Sequence, residues 1–223
     1  LLAKPLDHFL TRPVLRAASS VFHLTPREFD DLAGVAGESI ALRELHNGVP
    51  EPSHSDGVTR IGTEEVLFMA RLHPRKRPTT FVQMAAALID AGIDARFTLV
   101  GPNEGEGAAV ANLIDELSLQ ERVTYEGPLP PAESISRMGR AKVYVLPSVD
   151  EPYPMSVLEA MSVGLPVVVT DSCGLAPLIA EAECGIVVGS DDIESLTAAV
   201  RTILRTPGLA REMGENARRT AAQ

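Results

Sequence analysis

The sequence predicts an α/β protein, a Rossmann-like parallel sheet with helices on both faces. Two observations carry the prediction. From residue 66 onward, short apolar runs alternate with amphipathic stretches, the pattern of strand and helix in turn. The strand runs, such as Val143-Tyr-Val-Leu146 and Val167-Val-Val-Thr170, are continuously apolar, as strands buried on both faces are. A third observation sets the organisation: Glu51-Pro-Ser-His-Ser-Asp-Gly57 is rich in Pro, Ser and Gly and reads as a linker after a shorter amino-terminal region.

The elements follow in order. A mixed apolar and basic stretch predicts a helix over 13–22. Thr25, followed by Pro26 and Glu28, is an N-cap with Pro in the first turn of a second helix. Beyond the linker come a strand at 66–70, a helix at 78–91, a strand at 96–100, a helix at 107–118 and a strand at 122–126. A helix at 132–139, a strand at 142–146, a helix at 155–163 and a strand at 166–170 follow. The chain closes with a short helix at 176–181, a strand at 185–188 and helices from 192 on.

Composition narrows the partners. The chain has 223 residues, enough to bury a sizeable core, with 30 acidic against 20 basic residues and a net charge of −10. The one basic block is Arg75-Lys76-Arg77, so a nucleic-acid backbone is not an expected partner. No apolar run reaches the roughly 18 residues of a membrane span, and no signal sequence is visible. Cys173 and Cys184 lack metal-ligand spacing, so no metal site is expected, and the cysteine usage suggests a reduced, cytoplasmic setting. Gly101-Pro-Asn-Glu-Gly105-Glu-Gly107 lacks the Gly-Lys-Ser/Thr of a phosphate loop and the dinucleotide spacing, and reads as a glycine-rich turn.

The chemistry concentrates in Glu151-Pro-Tyr-Pro-Met-Ser-Val-Leu-Glu159, which places two carboxylates around the start of a helix between two apolar strands. In open α/β sheets ligands settle at the carboxyl ends of the strands, and a helix N-terminus there offers N–H groups to an anion. Acids near helix starts are also common for structural reasons, since they complement the dipole. A phosphorylated, hydroxyl-rich ligand fits the arrangement. The pair Arg71 and Lys76, after the 66–70 strand, adds two cations that could hold a diphosphate, Arg bidentately and Lys as a point charge. Taken alone, that pair reads far more readily as a solvated basic turn.

Together these residues resemble a known family. Glu151, seven residues, Glu159 and then Ala160-Met161-x-x-Gly164-x-Pro166-Val167-Val168 is similar to the segment that marks the retaining glycosyltransferases of family 4, enzymes of the GT-B fold that use a nucleotide-sugar donor. Val66-Leu-Phe-Met-Ala-Arg71-Leu-His-Pro-Arg-Lys76 resembles the first strand of that family's donor domain. Phe97-Thr-Leu-Val-Gly101, Val123-Thr-Tyr-Glu-Gly127 and Asn47-Gly48-Val49 fall in the family's order. The resemblance implies the carboxyl-terminal, donor-binding half at 63–223, a linker at 51–62 and, at 1–50, a remnant of the amino-terminal acceptor domain.

The resemblance also implies roles. Arg71 and Lys76 hold the donor diphosphate, and Glu151 faces the transferred sugar, so these three are the expected catalytic residues. Glu159 accepts from the ribose hydroxyls, the backbone N–H groups of Met155 and Ser156 bind the donor, and the main chain at Gly127 and Leu129 brackets the base. The reaction is metal-independent glycosyl transfer with retention, without a cofactor. A UDP-, GDP- or ADP-sugar is the donor, and a sugar, a lipid-linked molecule or a small molecule is the acceptor. The setting is cytoplasmic, with contact at the inner membrane face assigned to the absent half, and the isolated chain is expected to transfer nothing. Ser148, Asp171 and Gly174 lie at strand ends beside the site.

The chain departs from the family pattern at Ala70, Arg77, Pro154 and Pro177. Pro154 removes one N–H, no contact is carried over to Pro177, and Arg75, Arg77 and His73 have no donor role. Those departures keep open a non-catalytic nucleotide-binding module, and the shared fold keeps open a nucleotide-sugar epimerase.

Overall fold

The computed structural model describes residues 7–37, 40–45, 47–49 and 64–222. The chain divides into two compact units, Leu1–Gly48 and Val49–Gln223. The expected linker at 51–62 lies outside the described residues.

In the first unit a π-helical turn at Asp7–Thr11 leads into α1 (Arg12–Ala17), then β1 (Val21–His23), α2 (Pro26–Ala36) and β2 (Leu42–Glu44). The helix expected over 13–22 stops at Ala17. Ala18 turns extended at φ −75° and ψ 137°, and Val21 and Phe22 pair in parallel with Leu42 and Arg43 instead. The Thr25 cap forms as the sequence predicts. Its side chain accepts from the Glu28 N–H at 3.2 Å, and the Glu28 carboxylate accepts from the Leu24 N–H at 2.7 Å. It is a variant of the capping box in which the return bond falls on the residue before the cap.

The second unit carries a six-stranded parallel sheet, ordered β5-β4-β3-β6-β7-β8. The strands are β3 (Glu65–Met69), β4 (Arg96–Val100), β5 (Val123–Tyr125), β6 (Val143–Leu146), β7 (Val167–Thr170) and β8 (Gly185–Val188). Between them run α3 (Pro78–Asp90), α4 (Gly107–Glu116), α5 (Pro131–Met138), α6 (Met155–Ser162) and α7 (Ala176–Glu181), followed by α8 (Ile193–Arg205) and α9 (Leu209–Ala221). Every residue of β6 and β7 is buried, which only a sheet covered on both faces allows. The core joins Phe68, Phe81 and Phe97, stacked in tilted and edge-on pairs 5.6 Å and 6.3 Å apart, to Leu67, Met84, Met138, Tyr144 and Met161.

Two close approaches fix the sheet. A Cβ at Gly101, which ends β4 at φ +140°, would lie 2.1 Å from the Ala70 carbonyl oxygen; one at Gly185 would lie 2.0 Å from that of Val167. Only glycine lets neighbouring strands meet there.

A charged cluster around the buried Arg137 ties α5 to the β3–β5 half of the sheet. Arg137 on α5 forms a bidentate pair with Glu65 (2.7 and 3.0 Å) and another with Glu126 (2.8 and 3.0 Å), while Thr98 donates to Glu65 at 2.6 Å. Burial alone would raise the Glu65 carboxyl, but hydrogen bonds from Arg137 and Thr98 outweigh it and hold it below the usual range. At the carboxyl end of the chain, α9 packs on α6, with Arg218 donating to the Val163 carbonyl at 3.0 Å.

Candidate functional site

Strand order reverses between β3 and β6, and that switch point is where open α/β sheets bind ligands. Arg71 and Lys76 follow β3; Glu151 and the start of α6 follow β6. The sequence signal therefore falls on both sides of one switch point.

Backbone hydrogen bonds sew the loops together. A short 3-10 turn, Pro74–Lys76, presents Lys76, and His73 caps it by accepting the Arg75 N–H at 3.2 Å, a structural task for this histidine. The Val149 N–H donates to the Arg75 carbonyl at 2.9 Å, tying the β6 loop to the β3 loop. On its other side, the Gly174 N–H donates to the Glu151 carbonyl at 2.8 Å, and the Asp150 N–H donates to Ser172 Oγ at 3.3 Å. Glu151 is thus held between two neighbouring loops, and its carboxylate forms an ion pair with Lys76. Both side chains are nearly enclosed, 11% exposed for Lys76 and 12% for Glu151.

Arg71 is arranged differently. Its guanidinium pairs with Glu104 at 2.8 Å on the loop after β4, and it is 59% exposed. That loop is drawn to Leu72, whose carbonyl accepts the N–H groups of Glu104 and Glu106 at 3.1 Å. Asn103 shapes the glycine-rich turn, its Oδ1 accepting from Gly105 at 3.1 Å and Gly107 at 2.8 Å.

α6 begins at Met155 after Pro154, with no side-chain cap. A helix start has N–H groups beyond the reach of intrahelical carbonyls. Glu159 lies one turn further in, half-buried, and desolvation raises its carboxyl above the usual range. Ser156 turns its hydroxyl inward, 2.8 Å from the Tyr144 hydroxyl, so what it can offer a ligand is its main-chain N–H.

Tyr144, fully buried on β6, is the residue that motif reading missed. Its hydroxyl also lies 2.9 Å from the Met69 carbonyl at the end of β3. A carbonyl only accepts, so the phenol proton goes to Met69 and the Ser156 hydroxyl supplies the other bond. One side chain therefore joins the strand that leads to Arg71 to the first turn of α6. In sequence it is one apolar letter in a strand.

The remaining sequence-predicted residues occupy the same sheet edge. Gly127, at φ +79°, follows β5 and accepts the Gly101 N–H at 2.9 Å, while Leu129 packs half-buried on the core. Asp171 accepts from the N–H and hydroxyl of Ser190, and the Ser148 carbonyl accepts from Thr170. The buried Ser148 hydroxyl has no hydrogen-bond partner among the described residues. Arg77 has a task the sequence did not assign: it sits in the left-handed region at φ 53°, precedes α3, donates to the Ser190 carbonyl and pairs with Asp191 at 3.4 Å. Among the described residues no three His, Cys, Asp or Glu group to hold a metal, and no helix is long and apolar enough to cross a membrane.

This fold is that of the GT-B glycosyltransferases. HepE from Anabaena, solved with UDP, superposes with a TM-score of 0.85 at 19% identity, over 99% of this chain and 64% of that one. Sucrose-phosphate synthase from Thermosynechococcus elongatus superposes with a TM-score of 0.78 at 25% identity, covering 95% and 55%. The family model described as glycosyl transferases group 1 matches residues 54–220, and the chain belongs to that family. Among curated relatives it is similar to the D-inositol 3-phosphate glycosyltransferase of Gordonia bronchialis, 31% identical over 177 residues, 74% of this chain and 39% of that protein. It is also similar to the alpha-D-kanosaminyltransferase of Streptomyces kanamyceticus, 27% identical over 96% of this chain and 58% of that one. The chain spans about two fifths of the Gordonia protein's length.

Proposed function

We propose that the whole protein transfers a glycosyl group from a nucleotide-sugar to an acceptor with retention, and that this chain supplies the donor site. The observation that carries the reading is the meeting, across the β3/β6 switch point, of Lys76, Glu151 and the start of α6 with its half-buried Glu159.

Each part has a physical task. As the bond between the anomeric carbon and the diphosphate oxygen breaks, its electron pair moves onto the diphosphate, and fixed cations stabilise that growing charge. Lys76 and Arg71 supply the cations, and the N–H groups of Met155 and Ser156 add a helix terminus. Glu159 accepts from the ribose hydroxyls and Glu151 from those of the sugar, which positions the anomeric carbon. The main chain at Gly127 and Leu129 lies at the same sheet edge for the base. Residues 63–223 form the donor domain in this reading, and 1–50 belong to the acceptor side. UDP is the first nucleotide to try, because fold neighbours were solved with it.

Calorimetric titration with UDP, GDP and ADP tests the proposal. One nucleotide binds selectively, and Glu159→Ala and Lys76→Ala each weaken it about tenfold or more, the loss of a charge-assisted contact. Binding that neither substitution changes places the site elsewhere and refutes the assignment.

A further inference from the structure

The Lys76–Glu151 ion pair stands where the proposed donor chemistry must break it. The two cations of the site differ sharply in what holds them. Arg71 and its partner Glu104 are 59% and 37% exposed, and so open a pair contributes little and is easily exchanged for a ligand. Lys76 and Glu151 are 11% and 12% exposed, and removing one charge from an enclosed pair leaves the other uncompensated at high cost.

A diphosphate that takes Lys76 strips Glu151 of its cation. The carboxylate is then enclosed, held in place by the Val149 and Gly174 backbone bonds, and close to phosphates of its own sign. A nucleotide-sugar resolves this conflict, since its sugar hydroxyls donate to the freed carboxylate. A bare nucleoside diphosphate does not. We infer that the Lys76–Glu151 pair is a clasp that makes the site select the sugar-bearing donor over the bare nucleoside diphosphate, with Glu151 as the specificity-determining residue. After transfer the sugar no longer satisfies Glu151, the pair re-forms, and the spent diphosphate is released. The inference rests on the donor-site reading above.

The test compares UDP and UDP-glucose binding to the 223-residue chain and its variants by calorimetry. Glu151→Gln binds UDP about tenfold tighter than wild type and UDP-glucose no tighter, so the preference for the sugar-bearing ligand collapses. In a Lys76→Gln background the same substitution gains little, because no clasp remains to release. Glu151→Asp, which keeps the charge but withdraws it by one methylene, gives a smaller gain in UDP affinity and carries the comparison if Glu151→Gln does not fold. UDP binding that is unchanged or weaker in Glu151→Gln overturns the clasp. So does a full gain that persists in Lys76→Gln, which would reveal simple repulsion. A wild-type chain that binds UDP and loses it in Glu159→Ala upholds the donor site whatever Glu151 does. A wild-type chain that binds no nucleotide removes the donor reading and the clasp together.

Discussion

Glu159 is a candidate-site carboxylate whose surroundings change its chemistry. Desolvation raises its carboxyl above the ordinary value of 4.5, so it takes up its proton at higher pH than a surface glutamate. In the proposed donor site the ribose hydroxyls of a bound nucleotide would donate to the charged form and draw that value down again. Binding would then release a proton from Glu159, and affinity would weaken as pH falls, beginning above the usual carboxylate range. A UDP titration across pH should show this slope in wild type and lose that component in Glu159→Gln; the same slope in both would remove Glu159 from the ribose. The sequence revealed which carboxylate to watch, because a Glu in the second turn after Glu151 is a motif. It could not reveal the shift, which comes from the packing around α6. Arg77 gives the converse lesson. Its left-handed backbone explains why a glycine suits that position, yet its link to Ser190 and Asp191 depends on where β8 ends, 113 residues away.

Among the elements, β6 does most to assemble the site. Tyr144 spans from the Met69 carbonyl on β3 to Ser156 on α6, and burial pushes its phenol well up, keeping it neutral at any working pH. Tyr144→Phe leaves the buried Met69 carbonyl without that donor, and should cost about 1–3 kcal/mol of stability in urea unfolding. It should also weaken UDP more than uridine, because the bridge joins the two elements that carry the proposed diphosphate contacts. Equal weakening of both would mark Tyr144 as a core residue only. The parallel core strands were legible because continuous runs such as Val167–Thr170 admit few other placements. β1 and β2 were not. Each has three residues, and Phe22 is 55% exposed, so no burial pattern marked them and a mixed stretch read as helix. Thr25 was legible, since a cap with Pro and Glu behind it is a local signal that needs no tertiary partner.

At the scale of the whole molecule, the described residues place every proposed donor contact in the second unit, Val49–Gln223. Retaining transfer also needs an acceptor delivered to the same face of the sugar, and the chain spans only about two fifths of a curated relative. The chain alone should therefore bind nucleotide and show no transferase turnover, measured as release of UDP from UDP-glucose with a sugar acceptor, while the complete protein turns over. Turnover by the chain alone would mean that the second unit carries more of the acceptor site than proposed. The sequence by itself determined the α/β class, the order of the parallel-sheet elements and the motif residues on either side of the β3/β6 switch point, because periodicity, capping and motif spacing are properties of neighbours along the chain. Only the tertiary structure decided that Lys76 is clasped by Glu151 while Arg71 turns to Glu104, and that Tyr144 joins two elements. Those partners lie 75, 33 and 75 residues apart, and burial, which sets the strength of each pairing, exists only once the sheet has closed around them.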